Sequence, residues 1–173
     1  AKTLFPYTTL FRSYRQHKLV SDTKNNVADV SKSINAFRQQ YGFYPCPAPR
    51  MGPGTGVAMD CASPVNTAVT GNVDDSGVRI GAVPSFAFTG TDVNKDGTID
   101  DKDTVKIVDG NSTFDGWNTR LTYAVTIDMA QPPPHTPAST VGSVSITNKD
   151  TDGNITSTES EPFIVLSHGA TGA

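Results

Sequence analysis

The residues best suited to chemistry form one acidic stretch of twelve positions, Asp92-Val93-Asn94-Lys95-Asp96-Gly97-Thr98-Ile99-Asp100-Asp101-Lys102-Asp103. Side chains that carry oxygen recur at alternate positions, and a glycine stands sixth. Ca²⁺ takes about six to eight oxygens, which converge on one point only where the chain turns sharply, as a glycine permits. The pattern therefore predicts a calcium site, with ligands from Asp92, Asn94, Asp96, Thr98 (through its carbonyl), Asp100 and Asp103.

Two details refine this prediction. The last position holds Asp103 rather than the longer Glu, so we expect a weaker site than those of cytosolic calcium buffers. Ile99 is expected to point inward and tie the loop to the core.

The alternative is a solvated acidic turn without metal. Because residues 104–108 alternate like a strand and do not continue as a helix, the loop is predicted to lie on a sheet protein.

A second acidic stretch offers weaker metal ligands, namely Asn148, Asp150, Asp152 and Glu159. Apolar residues that flank it, Ile146 before and Ile155 after, are equally typical of a β-hairpin with a polar tip. We favour the hairpin here.

No catalytic site is predicted. Ser167 and His168 are adjacent, and neighbours on a strand point to opposite faces, so they cannot act together as nucleophile and base. A G-x-S-x-G nucleophile turn is absent from the sequence. We expect that the chain is not an enzyme.

Composition narrows the class of protein. Gly and Pro supply 27 of 173 residues, which disfavours a helical bundle. Residues 1–86 carry nine basic and five acidic groups, whereas residues 87–173 carry five basic and twelve acidic groups. That charge balance disfavours a nucleic-acid binder, and no nucleic-acid partner is expected.

The elements that must position these residues begin with a long helix. Apolar residues recur at helical spacing over residues 14–41, and Gly42 followed by Pro45 predicts where the helix ends. The apolar residues within residues 1–13 recur at neither helical nor alternating spacing. This segment resembles translated sequencing-adaptor DNA, or else forms a disordered tail, and is left out of the fold prediction.

Residues 42–90 are rich in Pro and Gly and are predicted as a long ordered loop with few strands. Cys46 and Cys61 enclose fourteen residues of it. Neither a C-x-x-C spacing nor a nearby His suggests a metal site, so a disulfide is predicted, which implies an oxidising compartment. Two free thiols are the alternative.

The later part of the chain reads as an antiparallel sheet over residues 111–173, following the inserted acidic segment 91–110. Residues 121–129 alternate as a half-buried strand. Val144 and Ile146, Ile155, and the run Phe163–Leu166 predict three more strands in a meander. The predicted fold class is α+β: one long N-terminal amphipathic helix packed on an antiparallel meander, with a disulfide-tied loop between them.

Several short motifs resemble type IV pilin-like proteins, the group that includes type II secretion pseudopilins and minor pilins. They are the segment Gly42-Phe43-Tyr44-Pro45-Cys46-Pro47-Ala48 after the helix, Gly81-Ala82-Val83-Pro84, Asp115-Gly116-Trp117-Asn118-Thr119-Arg120-Leu121-Thr122-Tyr123, and Val165-Leu166-Ser167-His168-Gly169. Asn118 stands where the family usually has Gly, and Asn is the next best residue for a left-handed turn.

The resemblance implies a structural subunit of a type IV pilus or type II secretion pseudopilus. Its partners would be other pilin or pseudopilin subunits and the inner membrane, reached through an N-terminal segment that this chain lacks. The globular part would be periplasmic or lie in an extracellular filament. The alternative function is a secreted calcium-dependent adhesion or carbohydrate-binding module.

Overall fold

A computed structural model describes residues 7–52, 56–99, 102–138 and 142–171. Its architecture is α+β, with one long N-terminal helix, antiparallel sheets and a disulfide, as predicted. The elements are α1 (Tyr7–Tyr41), α2 (Thr67–Thr70), β1 (Val73–Asp75), β2 (Val78–Ala82), β3 (Phe86–Phe88), β4 (Thr104–Lys106), β5 (Thr122–Thr126), β6 (Val144–Lys149), β7 (Ile155–Glu161) and β8 (Phe163–Leu166). Three short 3₁₀ turns lie at Gly110–Thr113, Ile127–Ala130 and Gly169–Thr171.

Helix α1 ends where its sequence predicts. Gly42 adopts a left-handed φ of 87°, and its N–H donates to the carbonyl of Arg38 at 2.8 Å. The helix begins at Tyr7, seven residues before the expected Tyr14. Its predicted seam is buried in the C-terminal half, at Val30, Ile34 and Phe37, whereas all residues from 12 to 18 are exposed. The C-terminal half of the helix therefore packs on the domain, whereas the turns formed by residues 12–18 do not.

The main sheet has four antiparallel strands in the order β1-β2-β5-β8. One face carries Tyr123, Val125 and Val165, which form the main core together with Val30 and Ile34 of the helix. Directly paired residues point to the same face, so Val78 and Ala124 lie on the opposite one. There they pack against Val144 of β6 in a smaller apolar cluster. Strand β5 is buried on both faces, not half-buried.

The sheet differs from the predicted meander in two respects. Strands β1 and β2 come from residues 42–90, where a loop with few strands was expected because the segment is rich in Pro and Gly, although Val78 and Ile80 alternate with Arg79 and Gly81 in β2. Strand β8 pairs with β5 rather than with β7, and β6 and β7 form a separate two-stranded ribbon. Pro162 stands at the bend between ribbon and sheet, where its carbonyl accepts the N–H of Thr126 at 2.9 Å.

Candidate functional site

The acidic loop joins β3 to β4, which form a small antiparallel pair of their own. Asp92 folds back over the loop: its two carboxylate oxygens accept the N–H groups of Asp96 at 3.2 Å and Gly97 at 2.9 Å. Gly97 has a φ of +89° and Lys95 a φ of +60°, both left-handed. The sharp turn predicted at the sixth position is therefore present.

Asn94, Asp96 and Thr98 form a second layer of contacts within the loop. The side chain of Asn94 accepts the N–H of Asp96 at 3.0 Å and donates to its carboxylate at 3.1 Å. The Asp96 carboxylate also accepts the hydroxyl of Thr98 at 2.7 Å and its N–H at 2.9 Å. These bonds, the Thr98 hydroxyl first, lower the pKa of Asp96, so the carboxylate stays charged.

Asp103 closes the loop from within. It is fully buried, and one carboxylate oxygen accepts the N–H groups of Val93 at 2.7 Å and Asn94 at 3.2 Å. Its own carbonyl accepts the N–H of Thr89 at 3.0 Å, which fastens the end of the loop to its beginning. These bonds hold the two ends of the acidic loop together.

The donor set suits Ca²⁺, since Asp92, Asn94, Asp96 and Asp103 offer hard oxygen ligands. In the structure these oxygens accept backbone N–H groups, and within the described ranges no cluster of three His, Cys, Asp or Glu side chains has metal-site geometry. Asp100 lies outside the described residues. Calcium binding thus stays a prediction. The expected inward position of Ile99 is wrong: its side chain is 61% exposed, because the loop tip stands in solvent.

The second acidic stretch forms the tip of the β6–β7 ribbon. The Asp150 carboxylate accepts the N–H groups of Asp152 at 2.9 Å and Asn154 at 2.8 Å, and contacts with Asn154 lower its pKa. Asn148 donates from its amide to the hydroxyl of Ser157, and Glu159 pairs with Ile146 further along the ribbon. The arrangement is the polar hairpin tip that the sequence favours.

Cys46 and Cys61 form a disulfide, with an Sγ–Sγ distance of 2.07 Å and Cα atoms 5.6 Å apart. Both residues are buried in the main core. The predicted pairing is confirmed. It closes the segment that follows α1 and places residues 58–61 beside the sheet.

Arg79 is a buried cation that pattern reasoning missed. It is 2% exposed, and its guanidinium binds the Asp74 carboxylate through two bonds of 2.7 and 2.8 Å. It also donates to the carbonyls of Asp60 at 2.9 Å and Ser63 at 2.8 Å, on either side of Cys61. Arg79 therefore fixes the disulfide loop to the helix-facing side of the sheet. The Ser76-Gly77 turn between Asp74 and Arg79 is the signal that predicts this hairpin.

The turn after residue 114 is organised by Asp115, which is buried. One carboxylate oxygen accepts the N–H groups of Trp117 at 3.0 Å and Thr119 at 2.8 Å, and the other accepts the hydroxyl of Ser167 at 2.7 Å. Asn118 has a φ of +63°, the left-handed turn predicted for it. His168 shares a hydrogen bond of 2.8 Å with Thr122 instead. Ser167 and His168 thus engage different partners.

This turn lies directly on helix α1. The N–H of Gly116 donates to the hydroxyl of Thr23 at 2.8 Å, and the amide of Asn26 donates to the carbonyl of Phe114 at 2.8 Å. A Cβ atom on Gly116 would stand 2.2 Å from the carbonyl oxygen of Leu19, so only glycine fits. The turn therefore sets the position of the helix upstream of its buried seam.

Comparison of the chain with protein-family models, with curated proteins and with solved structures gives no significant match. In the part of the chain that the structure describes, no helix has both the length and the apolarity needed to cross a bilayer.

Proposed function

We propose that this chain is the globular part of a type IV pilin-like subunit, a pseudopilin of type II secretion or a minor pilin, and that it works by assembly. The observation that carries the proposal is the division of α1. Val30, Ile34 and Phe37 bury its C-terminal half on the sheet, while residues 12–18 are exposed on all sides. A helix that extends beyond its own domain can contact a neighbouring subunit.

The positions of the family-like motifs support the proposal. The segment from Gly42 leads from the helix to Cys46, and Gly81 packs tightly against Asn72 and Pro47. The Asp115 turn contacts α1 and the end of β8 at once. Each motif thus lies where the helix, the loop or the sheet is joined to another element.

Partners and location follow from the same proposal. An apolar segment upstream would anchor the subunit in the inner membrane, with the globular domain in the periplasm or in an extracellular filament. The Cys46–Cys61 disulfide suits an oxidising compartment of this kind. Other pilin or pseudopilin subunits would be its partners, and the chain would have no catalytic role.

Calcium is part of the proposal. Binding by the loop from Asp92 to Asp103 would stiffen the connection between β3 and β4, with an affinity on the order of 10⁻⁴ to 10⁻³ M, as in other extracellular modules. A stiffened loop would present an ordered surface to the next subunit.

The experiment that tests the proposal is to sequence the native gene upstream of residue 14. We expect a short basic leader followed by about 20 apolar residues. Expression of that full-length protein with its secretion or pilus genes should then yield filaments that contain it, while deletion of the apolar segment should abolish incorporation. An upstream region without an apolar segment of that length would contradict the proposal.

The second candidate is a secreted calcium-dependent adhesion or carbohydrate-binding module. The exposed acidic loop favours it, because such a loop can recognise a partner directly. A cleavable secretory signal upstream, in place of a retained apolar helix, would establish this alternative. Calcium-dependent retention on immobilised glycans would then be the expected property.

A further inference from the structure

The sequence contains the same five-residue pattern twice, as Asp109-Gly110-Asn111-Ser112-Thr113 and as Asp152-Gly153-Asn154-Ile155-Thr156. In each copy a Thr stands two positions after the Asn, and the residue between them is not Pro. This is the acceptor pattern for N-linked glycans in exported proteins. The Thr belongs to the pattern because the transferring enzyme binds its hydroxyl while the Asn amide reacts. Since three residues alone specify little, the surroundings of each copy in the fold decide whether it can be used.

The second copy lies at the tip of the β6–β7 ribbon and is open to solvent. All five residues from Asp152 to Thr156 are exposed. A Cβ atom on Gly153, directly before the asparagine, would find no neighbour within 4 Å among the described residues. Because a glycan is bulky and strongly hydrated, it requires a surface position of this kind. The ribbon tip therefore has room for a glycan on Asn154.

The two groups of this copy that an enzyme must reach are weakly held. The amide nitrogen of Asn154 donates to the Asp150 carboxylate at 3.2 Å, and the hydroxyl of Thr156 donates to the carbonyl of Asn148 at 3.2 Å. Both bonds lie in solvent, so another partner can replace either at little cost. The ribbon register also shifts after Asn148, which leaves Thr156 without a directly paired residue. The acceptor residues can thus change conformation without disrupting a regular ladder.

The first copy is closed by the fold. Asn111 is exposed, but Thr113 is only 3% exposed, and its hydroxyl donates to the carbonyl of Gly110 at 2.6 Å. The carbonyl of Thr113 accepts the N–H of Leu121 at 2.9 Å, which ties this turn to the residue before β5. An enzyme that must bind the Thr hydroxyl therefore cannot reach it in the folded chain. The two copies present the same pattern in opposite states of access.

We propose that Asn154 carries an N-linked glycan, added to the folded chain, and that the fold protects Asn111 from the same reaction. The donor is an oligosaccharide joined through its anomeric carbon to a polyprenyl diphosphate, and an oligosaccharyltransferase is the catalyst. The amide nitrogen of Asn154 bonds to the anomeric carbon and gives up one proton to a base of the enzyme. The bond from that carbon to the diphosphate oxygen breaks, and the polyprenyl diphosphate leaves.

This inference goes beyond the assembly function proposed above. It requires only a chain outside the cytosol, as the Cys46–Cys61 disulfide indicates, and it is equally compatible with the alternative of a secreted module. A glycan at the ribbon tip would stand away from the main core, because Asn154 lies at the end of the ribbon opposite the Pro162 bend.

The test begins with the protein purified from its native source. Proteolysis and mass spectrometry should find the peptide that contains Asn154 heavier by an oligosaccharide, and the peptide that contains Asn111 at its unmodified mass. An unmodified Asn154 overturns the inference. A glycan on Asn111 also overturns it, since burial of Thr113 would then give no protection.

Variants expressed in the same source identify the groups that the reaction needs. Asn154→Gln and Thr156→Ala should each lose the glycan completely, whereas Thr156→Ser keeps the hydroxyl and should keep the glycan. The matched control, Asn111→Gln, makes the same change in the closed copy and should leave the glycan in place. Because all these positions are exposed, each variant should keep the melting temperature of the unglycosylated parent to within a few degrees, which checks that it is folded. A glycan that persists in Thr156→Ala, or one that Asn111→Gln removes, would overturn the inference.

Discussion

Gly116 and Thr23 join the sheet to the long helix: the N–H of Gly116 donates to Oγ1 of Thr23 over 2.8 Å, across 93 residues of sequence. The contact lies N-terminal to the apolar seam, in a stretch where the helix buries no large side chain. Polar contacts and the close approach of the two backbones therefore hold this part of α1. These contacts also set the direction in which the exposed turns of α1 extend from the domain.

Replacing Gly116 with Ala tests that relationship. The new Cβ would stand 2.2 Å from the carbonyl oxygen of Leu19, a backbone atom, so the turn and the helix must move apart. We expect a loss of about 1–3 kcal/mol in the free energy of unfolding, measured by urea denaturation. Gly110→Ala is the control, because its Cβ would find its nearest neighbour at 4.0 Å. Equal stability of the two variants would contradict the proposed contact.

Arg79 gives a second prediction. Arg79→Met keeps most of the side-chain volume but removes the bonds to Asp74 and to the carbonyls of Asp60 and Ser63. A hydrogen bond to a charged group contributes about 1.5–3 kcal/mol to stability. Because Asp74 is partly exposed and can regain water, we expect Arg79→Met to lose about 2–3 kcal/mol in the free energy of unfolding.

The control for Arg79 is Asp74→Asn, which removes one partner and leaves the two carbonyl contacts in place. It should cost less than Arg79→Met, and the double variant should cost less than the sum of both. Additive losses in this double-mutant cycle would show that the two side chains are not coupled. Urea denaturation measures all three variants.

Much of the fold follows from local sequence signals. The spacing of Val30, Ile34 and Phe37 predicts the buried side of the helix, and Gly42 predicts its end. Both signals depend only on residues a few positions apart, so they can be found in the sequence alone. The β6–β7 ribbon is equally local, because a turn at Asp150–Gly153 joins its two strands. The disulfide was foreseen because the chain contains only two Cys residues.

The parts that escaped prediction depend on distant partners. Strand β2 contains Arg79, which reads as a solvent-facing residue until Asp74 and two loop carbonyls are brought to it. The apolar run of β8 predicts a strand, but only tertiary packing decides that this strand pairs with β5 rather than with β7. In the acidic loop, the glycine at the sixth position and the alternating oxygen-bearing side chains predict the turn at Gly97. Ile99 is exposed because no core lies beneath the described part of the loop tip, which the sequence pattern does not reveal.

Alkaline pH should weaken the fold through Tyr123. Its ring is fully buried and its hydroxyl donates to the carbonyl of Pro45 at 2.9 Å. Burial raises the pKa of Tyr123 well above its usual value of about 10, and raises that of Tyr44 in the same direction. The unfolded chain therefore ionises first, so stability is complete below pH of about 10 and falls above it.

The expected slope for Tyr123 is about 1.4 kcal/mol per pH unit once the unfolded tyrosine is ionised. Tyr123→Phe should lose about 1 kcal/mol at neutral pH, from the missing hydrogen bond, and should show a shallower decline in alkali. Urea denaturation between neutral pH and pH of about 11 measures both. Tyr14→Phe alters an exposed ring and should keep the parent slope; a parent curve that is flat in this range would exclude the effect.

Calcium should stabilise the folded chain through the loop from Asp92 to Asp103. Metal that binds only the folded state raises the free energy of unfolding by about 1.4 kcal/mol at ten times the dissociation constant and about 2.7 kcal/mol at a hundred times. We therefore expect millimolar Ca²⁺ to raise the melting temperature. Titration calorimetry should give one site with a dissociation constant on the order of 10⁻⁴ to 10⁻³ M.

Paired substitutions in the two acidic stretches decide which of them binds. Asp96→Ala removes a carboxylate at the centre of the first loop, together with its bonds to Asn94 and Thr98, and should abolish both the heat signal and the rise in melting temperature. Asp152→Ala removes an equivalent exposed carboxylate from the ribbon tip and should change neither. Because Mg²⁺ demands a tighter octahedral shell and releases its water reluctantly, it should not substitute for Ca²⁺. A parent chain that shows no response to Ca²⁺, or a response that Asp152→Ala removes and Asp96→Ala does not, would assign the first loop a purely structural role, in which carboxylates serve only to hold the turn at Gly97.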